Sequence, residues 1–377
     1  MKNILLVSHY TETQGVMHKL ALYLIRHNYL LSYLLNPLEP KSSLYSILKI
    51  NETEIKYKIF WQFQYVFEGI FSLIFYRLKI NKRSKFDLAI CFDPLSFFHT
   101  FFFRRLLNID KIVYFNVDFS TRRFKNVIFN HIYLSFNRFA YKKCNYFFSI
   151  TKTFLEKIDP ADEYISKVSM LKHTIDTSRI LKKRSNKVNH SIIYAGNLSH
   201  TVDFANLIKA LEVLKSENIN FIFDIYGSGP QEKSIRNLIK KSPICKNVAL
   251  RGVVTNSTLI NRILPKYSIG VCPYINKNNN YEADHAFTGT DLTTKLVEYI
   301  GSGLPIITTR LYGAFDMIEK NKIGFLAYTS KEWYLAIKKL LLNEKMNKAY
   351  SRNALSFAKK YDEEEVLTPI FSKILGV

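Results

Sequence analysis

Cysteine is scarce and scattered in this chain. Cys91, Cys144, Cys245 and Cys272 are the only four in 377 residues, and none forms a CxxC pair. A disulfide framework and a thiolate zinc site are therefore not expected, and a reducing cytosol fits best. Asp-x-Asp is missing, and so is G-x-G-x-x-G. Neither a carboxylate-held divalent metal nor a dinucleotide fingerprint is indicated. The opening MKNILLVSHY has no cationic region ahead of an apolar stretch, so it reads as a strand and not as a signal peptide. The most apolar long stretch, Ile59 to Tyr76, is interrupted by Gln62, Gln64 and Glu68. Those groups are costly at a bilayer centre, and the stretch reads as a buried or interfacial helix.

Acidic residues are also few. Only 31 Asp and Glu stand against 54 Lys and Arg, which leaves a formal charge of +23. Nucleic acid, anionic lipid and phosphorylated substrates all fit such an excess, as does plain compositional bias. The basic residues form no recognition-helix stripe, and no paired strand aromatics mark an RNA-binding surface, so nucleic acid is not an expected partner. Phe97-Phe98 and Phe101-Phe-Phe-Arg-Arg105, with Lys82 and the 59–76 stretch, make an aromatic and basic region. Singly these Phe residues suit a core. Together they could dock an anionic membrane surface.

Nearly half of the residues are apolar, and the length allows two domains, each with its own core. Short apolar strands are expected at 4–7, 31–35, 86–92, 111–115, 146–150 and 168–171, with helices between them. The polar, basic stretch 177–189 breaks this rhythm and reads as a linker. Strands then recur at 192–195, 221–226, 248–250, 269–272, 305–309 and 324–327. Helices are expected at 331–342 and about 346–360. The domains are therefore drawn as 1–185 and 186–377. The apolar Ile370, Phe371, Ile374 and Leu375 are suited to packing the tail back on the first domain. Alternation of this kind implies parallel sheets covered by helices, with ligands beyond the strand C-termini.

The most telling segment is Phe287–Thr309, FTGTDLTTKLVEYIGSGLPIITT. A hydroxyl-rich loop carrying Thr290, Thr293 and Thr294 leads into a helix over about 291–302, which Gly303 and Pro305 close. A helix N-terminus, Lys295 and those hydroxyls make a seat for a phosphorylated ligand. Glu298, on the same helix face, could accept from ribose hydroxyls. A solvated surface pair is the plainer alternative for Lys295 and Glu298. Further candidates are Gly15 in the first loop, Asn197 in Ala-Gly-Asn197 after a strand, and Asp118 in Asn-Val-Asp118.

The segment resembles the donor-binding element of GT-B glycosyltransferases of family 4, "K-x-x-E-Y-x-A-x-G-x-P-V-I". The matches are Lys295, Glu298, Tyr299, Gly303, Pro305 and Ile306, with Gly301 for the usual Ala. Thr290 stands where many members have the first of two glutamates. Asn197 and Val202 stand where arginine and lysine are usual. The resemblance implies an α/β GT-B fold, two Rossmann-like domains facing across a cleft. It also implies retaining sugar transfer from a nucleotide-diphosphate sugar, with neither metal nor cofactor. It places Gly15, Asn197, Thr290, Thr293, Thr294, Lys295 and Glu298 at the donor and makes Asp118 and Lys295 catalytic. A sugar or lipid-linked acceptor, in polysaccharide or glycolipid synthesis, fits a cytoplasmic protein peripheral on the inner face of the plasma membrane. Rival readings are a sugar-nucleotide epimerase on the same fold and a non-catalytic binder.

Overall fold

The computed structural model describes residues 1–9, 15–37, 45–50, 53–59, 69–71, 73–74, 85–117, 119–120, 123–150, 153–177, 188–275, 292–311 and 313–376. Asp118, Thr290, the linker residues 178–187, Lys82 and most of the 59–76 stretch lie outside them. The described residues form two compact units. One holds Met1–Leu171 and resumes at Leu367, while the other runs from Lys172 to Val366.

The first unit is built on an eight-stranded sheet ordered β4-β3-β2-β1-β5-β6-β7-β8. The strands are β1 (Asn3–Ser8), β2 (Leu30–Leu35), β3 (Tyr45–Ile50), β4 (Thr53–Lys58), β5 (Phe86–Cys91), β6 (Ile109–Asn116), β7 (Tyr146–Ser149) and β8 (Val168–Met170). All pairings from β2 to β8 are parallel, as the continuous apolar runs require of strands covered on both faces. The β3–β4 hairpin adds two antiparallel strands at one edge, which the expected all-parallel sheet did not include.

Helices that connect the parallel strands include α1 (Gly15–Arg26), α2 (Pro94–Phe103), α3 (Val127–Lys143) and α4 (Thr153–Ile158). Asp93 caps α2 by accepting from Ser96 N, with Pro94 supplying a first-turn residue that needs no N–H partner. Asn126 caps α3 in the same way. The core is unusually aromatic. Phe97, Tyr114, Phe147 and Phe154 are all fully buried, and the Phe147 and Phe154 rings lie 4.6 Å apart. Phe97 is thus a packing residue, and truncating it to Ala should cost about 3–5 kcal/mol.

The second unit carries a six-stranded parallel sheet ordered β11-β10-β9-β12-β13-β14. Its strands are β9 (Ser191–Ala195), β10 (Ile222–Tyr226), β11 (Val248–Gly252), β12 (Ile269–Cys272), β13 (Ile306–Thr308) and β14 (Gly324–Leu326). Its helices include α5 (Ala205–Ser216), α6 (Glu232–Lys240), α7 (Thr294–Gly301), α8 (Ser330–Leu342) and α9 (Glu344–Ala358). A capping box between Thr329 and Glu332 fixes the start of α8, whose Trp333 is buried. The tail is a helix, α10 (Glu363–Leu375), which begins among second-unit residues and ends among those of the first. In the first unit, Phe371 packs on Tyr23 and Phe148, and Lys111 Nζ donates to Ile374 O at 2.6 Å.

Candidate functional site

In each sheet the chain leaves two neighbouring strands in opposite directions. Such switch points, at strand C-termini, are where open α/β sheets hold ligands. In the second unit they are the ends of β9 and β12. The turn after β9 is Gly196-Asn197, and α7 begins near the end of β12.

Tyr299 anchors α7 to this edge. Its buried hydroxyl accepts from Ala195 N at 2.7 Å, and its ring lies over Gly270, where an added Cβ would come within 2.5 Å. That anchoring carries Lys295 onto Gly196. A Cβ at Gly196 would lie 2.0 Å from Lys295 Cε, so any side chain there would displace the lysine, and the φ of +152° favours glycine. The lysine ammonium donates to Tyr194 Oη at 3.2 Å, and Tyr194 donates in turn to Asn197 O at 2.7 Å. Lys295 Nζ also stands 5.3 Å from the centroid of the Tyr194 ring and 5.5 Å from that of Tyr274. The two aromatic faces attract the cation without neutralising it. No carboxylate lies within ion-pair distance of it among the described residues. Burial lowers its pKa, against the opposing pull of Cys272 and Glu298. A half-buried cation without a counter-ion, at the first turn of a helix, is a seat for an anion.

The remaining candidates divide. Thr293 is the N-cap residue of α7, and its hydroxyl pairs with Tyr274 Oη at 2.9 Å. The Thr294 hydroxyl pairs with His173 Nδ1 at 3.1 Å. Glu298 is buried, and its Oε1 accepts from Asn256 Nδ2 at 3.0 Å. It is not the solvated partner of Lys295. Val202, at the family's usual lysine position, is buried and bridges to Tyr274. Gly15 opens α1 in the first unit. Asp118 and Thr290 lie outside the described residues. Lys295, Asn197, Thr293 and Thr294 therefore share one sheet edge with Tyr194 and Tyr274. Neither tyrosine was singled out on the sequence, where a Tyr in a buried strand looks like core.

A second constellation was also missed. At the β1/β5 switch point of the first unit, His9 Nδ1 meets Asp93 Oδ1 at 2.8 Å, and His9 N donates to Asp93 Oδ2 at 3.1 Å. Ser96 donates to the same carboxylate through N and Oγ, at 2.8 and 2.5 Å. Burial pushes the Asp93 carboxyl up, but the His9 ring and the Ser96 donors outweigh it and hold it well below the ordinary carboxylate range. Behind it, burial and the nearby His9 ring hold His99 down to about 4. His9 Nε2 and His99 Nδ1 are buried without a hydrogen-bond partner among the described residues. No local pattern joins residues 9 and 93. Only the sheet order does.

Among the described residues, no helix is long and apolar enough to cross a membrane, and no three His, Cys, Asp or Glu side chains are grouped to hold a metal.

Residues 178–357 match the family model "Glycosyl transferases group 1". The UDP-N-acetylglucosamine–peptide N-acetylglucosaminyltransferase GtfA subunit of Streptococcus pneumoniae is 27% identical over 172 residues, spanning 45% of this chain and 31% of the relative. The chain thus matches about a third of that relative's length. A crystal structure of S. aureus TarM with UDP superposes with a TM-score of 0.60 at 18% identity, covering 88% of this chain and 62% of TarM. Anabaena HepE in complex with UDP gives 0.63 at 14% identity over the full length of both chains. Likenesses this distant in sequence establish the fold. Residues 178–357 thus carry the likeness to the glycosyl transferases group 1 family, and the fold is that of the GT-B glycosyltransferases.

Proposed function

We propose that this protein transfers a sugar from a nucleoside-diphosphate sugar to an acceptor, with retention of anomeric configuration. The observation that carries the reading is Lys295. Its ammonium is held on Gly196 between two tyrosines, with no carboxylate partner among the described residues, beside the first-turn amides of α7, which the Thr293 side chain does not cap. As the sugar C1–O bond breaks, the nucleoside diphosphate leaves with the electron pair. Charge grows on its phosphate oxygens, and a fixed cation and amides stabilise that charge more than the ground state. The acceptor hydroxyl forms the new bond to C1 and passes its proton to the departing phosphate oxygen. We read the transfer as metal-independent, because Lys295 and the amides can fill the role a divalent ion would.

Uridine is the proposed nucleoside, since TarM and HepE are described in complex with UDP. Asn197, Thr290, Thr293 and Thr294 are proposed to line the diphosphate and sugar and Glu298 the ribose, and Gly15 is proposed as a donor contact on the strength of the resemblance. Asp118 is proposed as a catalytic or sugar-binding carboxylate on the strength of the resemblance. For the acceptor we propose a sugar or lipid-linked glycan at the inner face of the plasma membrane, in polysaccharide or glycolipid synthesis. The charge of +23 favours an anionic surface there.

The test is nucleoside diphosphate release from a panel of donors. Lys295→Ala should slow it by on the order of a hundredfold or more. Unchanged turnover in a folded Lys295→Ala variant would overturn the reading. The anomeric configuration of the product, followed by NMR, decides retention.

A further inference from the structure

Helix α3 begins with an end that is exposed among the described residues. Every residue from Arg123 to Phe129 is exposed. Val127 and Ile128 are 67% and 66% exposed and Phe129 is 56%, with Phe124 and Ile132 also open to solvent. At ~100° per residue, Val127 to Phe129 and Ile132 spread over about half of the helix circumference. The end is thus apolar on several sides rather than along one stripe. Scattered apolar residues on a surface need no explanation, but five large ones on one helix end do.

The end is also held in place. Asn126 Oδ1 caps the helix by accepting from Ile128 N at 2.8 Å. Asn130 ties the approach down, its Oδ1 accepting from Phe124 N at 2.8 Å and its Nδ2 donating to Phe124 O at 2.5 Å. This short network fixes the apolar side chains pointing outward.

Charge says what covers them. Arg123 and Lys125 flank the apolar residues and are exposed, and Arg138, Lys142 and Lys143 are exposed further along the same helix. No acidic residue occurs between Asp118 and Glu156. An apolar tip on a stretch of chain that carries exposed basic residues and no acidic one complements an anionic phospholipid bilayer: the side chains enter the acyl boundary while the cations meet the headgroups. Topology adds the position. Because α3 connects parallel β6 and β7, it runs back along the sheet, so its N-terminus lies at the C-terminal edge of the strands. Tyr133 accordingly stacks on Phe119, just past the end of β6. This is the edge that carries His9 and Asp93 at the β1/β5 switch point.

We infer that the N-terminal end of α3 is a membrane-docking tip that inserts into an anionic bilayer and brings the strand-end edge of the first unit to the membrane surface. The inference rests on the proposal above that the acceptor is lipid-linked. It departs from the aromatic and basic region expected on the sequence at Phe97 to Arg105, where Phe97 is buried, Phe101 and Phe103 pack against the core and only Phe102 among these phenylalanines is exposed.

The test is sedimentation of the full chain with phosphatidylcholine vesicles, with and without phosphatidylglycerol. Wild type should bind the anionic vesicles and lose binding as salt rises. The double variant Ile128→Glu/Phe129→Glu should bind them more than about tenfold more weakly, as expected when two inserted side chains become charged. Both positions are exposed, so the variant should keep the wild-type melting temperature. Leu335→Glu, at an exposed leucine of α8, controls for the added charge and should bind as wild type does. If the double variant sediments as wild type does, the tip assignment fails while membrane association stands. If wild type binds no vesicles, the membrane reading itself fails. If the double substitution instead converts a dimer to a monomer without changing vesicle binding, the tip is a contact between copies of the chain, and the inference is overturned.

Discussion

The two sheets place opposite chemistry at equivalent points. At the β9/β12 switch of the second unit stands a lysine between aromatic faces, with no carboxylate paired to it among the described residues. At the β1/β5 switch of the first unit stands a carboxylate that gathers a histidine and a serine. The same architecture thus offers a seat for an anion in one case and a hydrogen-bond acceptor network in the other. A diphosphate suits the first, and hydroxyl-rich chemistry suits the second. Fold alone would not separate them, because function lies in the side chains that the strand ends present.

The largest expected effect concerns the carboxylate. Asp93→Ala leaves the buried His9 and the Ser96 donors without their acceptor and removes the cap of α2. Loss of about 3–5 kcal/mol of unfolding free energy is expected, as when one member of a buried pair is removed. Denaturant unfolding measures it, and a loss under about 1 kcal/mol, the size of a surface pair, would show that the cluster is held together by other contacts.

Next comes Glu298→Gln. The amide oxygen can still accept from Asn256, so the fold should hold. Donor affinity should fall by about 1.5–3 kcal/mol if the carboxylate takes ribose hydroxyls. Calorimetric titration with nucleoside diphosphate reads this directly, and an unaltered dissociation constant would assign Glu298 to packing alone.

Gly196→Ala tests how the cation is positioned. The new methyl group would overlap Lys295 Cε, and the backbone is strained for any side chain. A cost of about 1–3 kcal/mol, shared between stability and nucleotide affinity, is expected. Gly252→Ala, whose added Cβ meets nothing within 4 Å, should leave nucleotide affinity unchanged and show strain only. Equal losses of affinity in the two variants would detach Lys295 from Gly196.

The last effect is a slope, absent near neutral pH. His99 is held down to about 4 from an ordinary 6.5. Between those values the unfolded chain binds a proton that the folded one refuses. Stability from this group is therefore complete above about pH 6.5 and is lost as pH falls toward 4, by at most about 1.4 kcal/mol per pH unit. His99→Gln should flatten the dependence of the melting temperature on pH in that window. A profile as steep as wild type would place the titration elsewhere.

Much of this was legible in the sequence. The six strands of the second unit fall within two residues of their expected bounds, because buried parallel strands write continuous apolar runs. The motif around Lys295 and Glu298 placed both residues on α7. What was not legible depends on distant pairings. Tyr194 and Lys295 are 101 residues apart, and His9 and Asp93 are 84 apart, so no local spacing joins them. The β3–β4 hairpin had a signal that went unread. Tyr-Ser-Ile-Leu-Lys-Ile50 and Thr-Glu-Ile-Lys-Tyr-Lys58 are β-branched and aromatic runs two residues apart. The exposed tip of α3 was equally visible as Arg-Arg-Phe-Lys-Asn-Val-Ile-Phe129, but exposure is settled by what the rest of the chain fails to cover.

The central claim is that the cation of the second unit, and not the carboxylate cluster of the first, receives the donor's diphosphate. A crystal structure of the chain with a nucleoside diphosphate tests it most directly. The account predicts a phosphate oxygen within about 3 Å of Lys295 Nζ, beside the Gly196-Asn197 turn. A diphosphate bound more than about 5 Å from Lys295, beyond any direct hydrogen bond, or seated at His9 and Asp93, would contradict it.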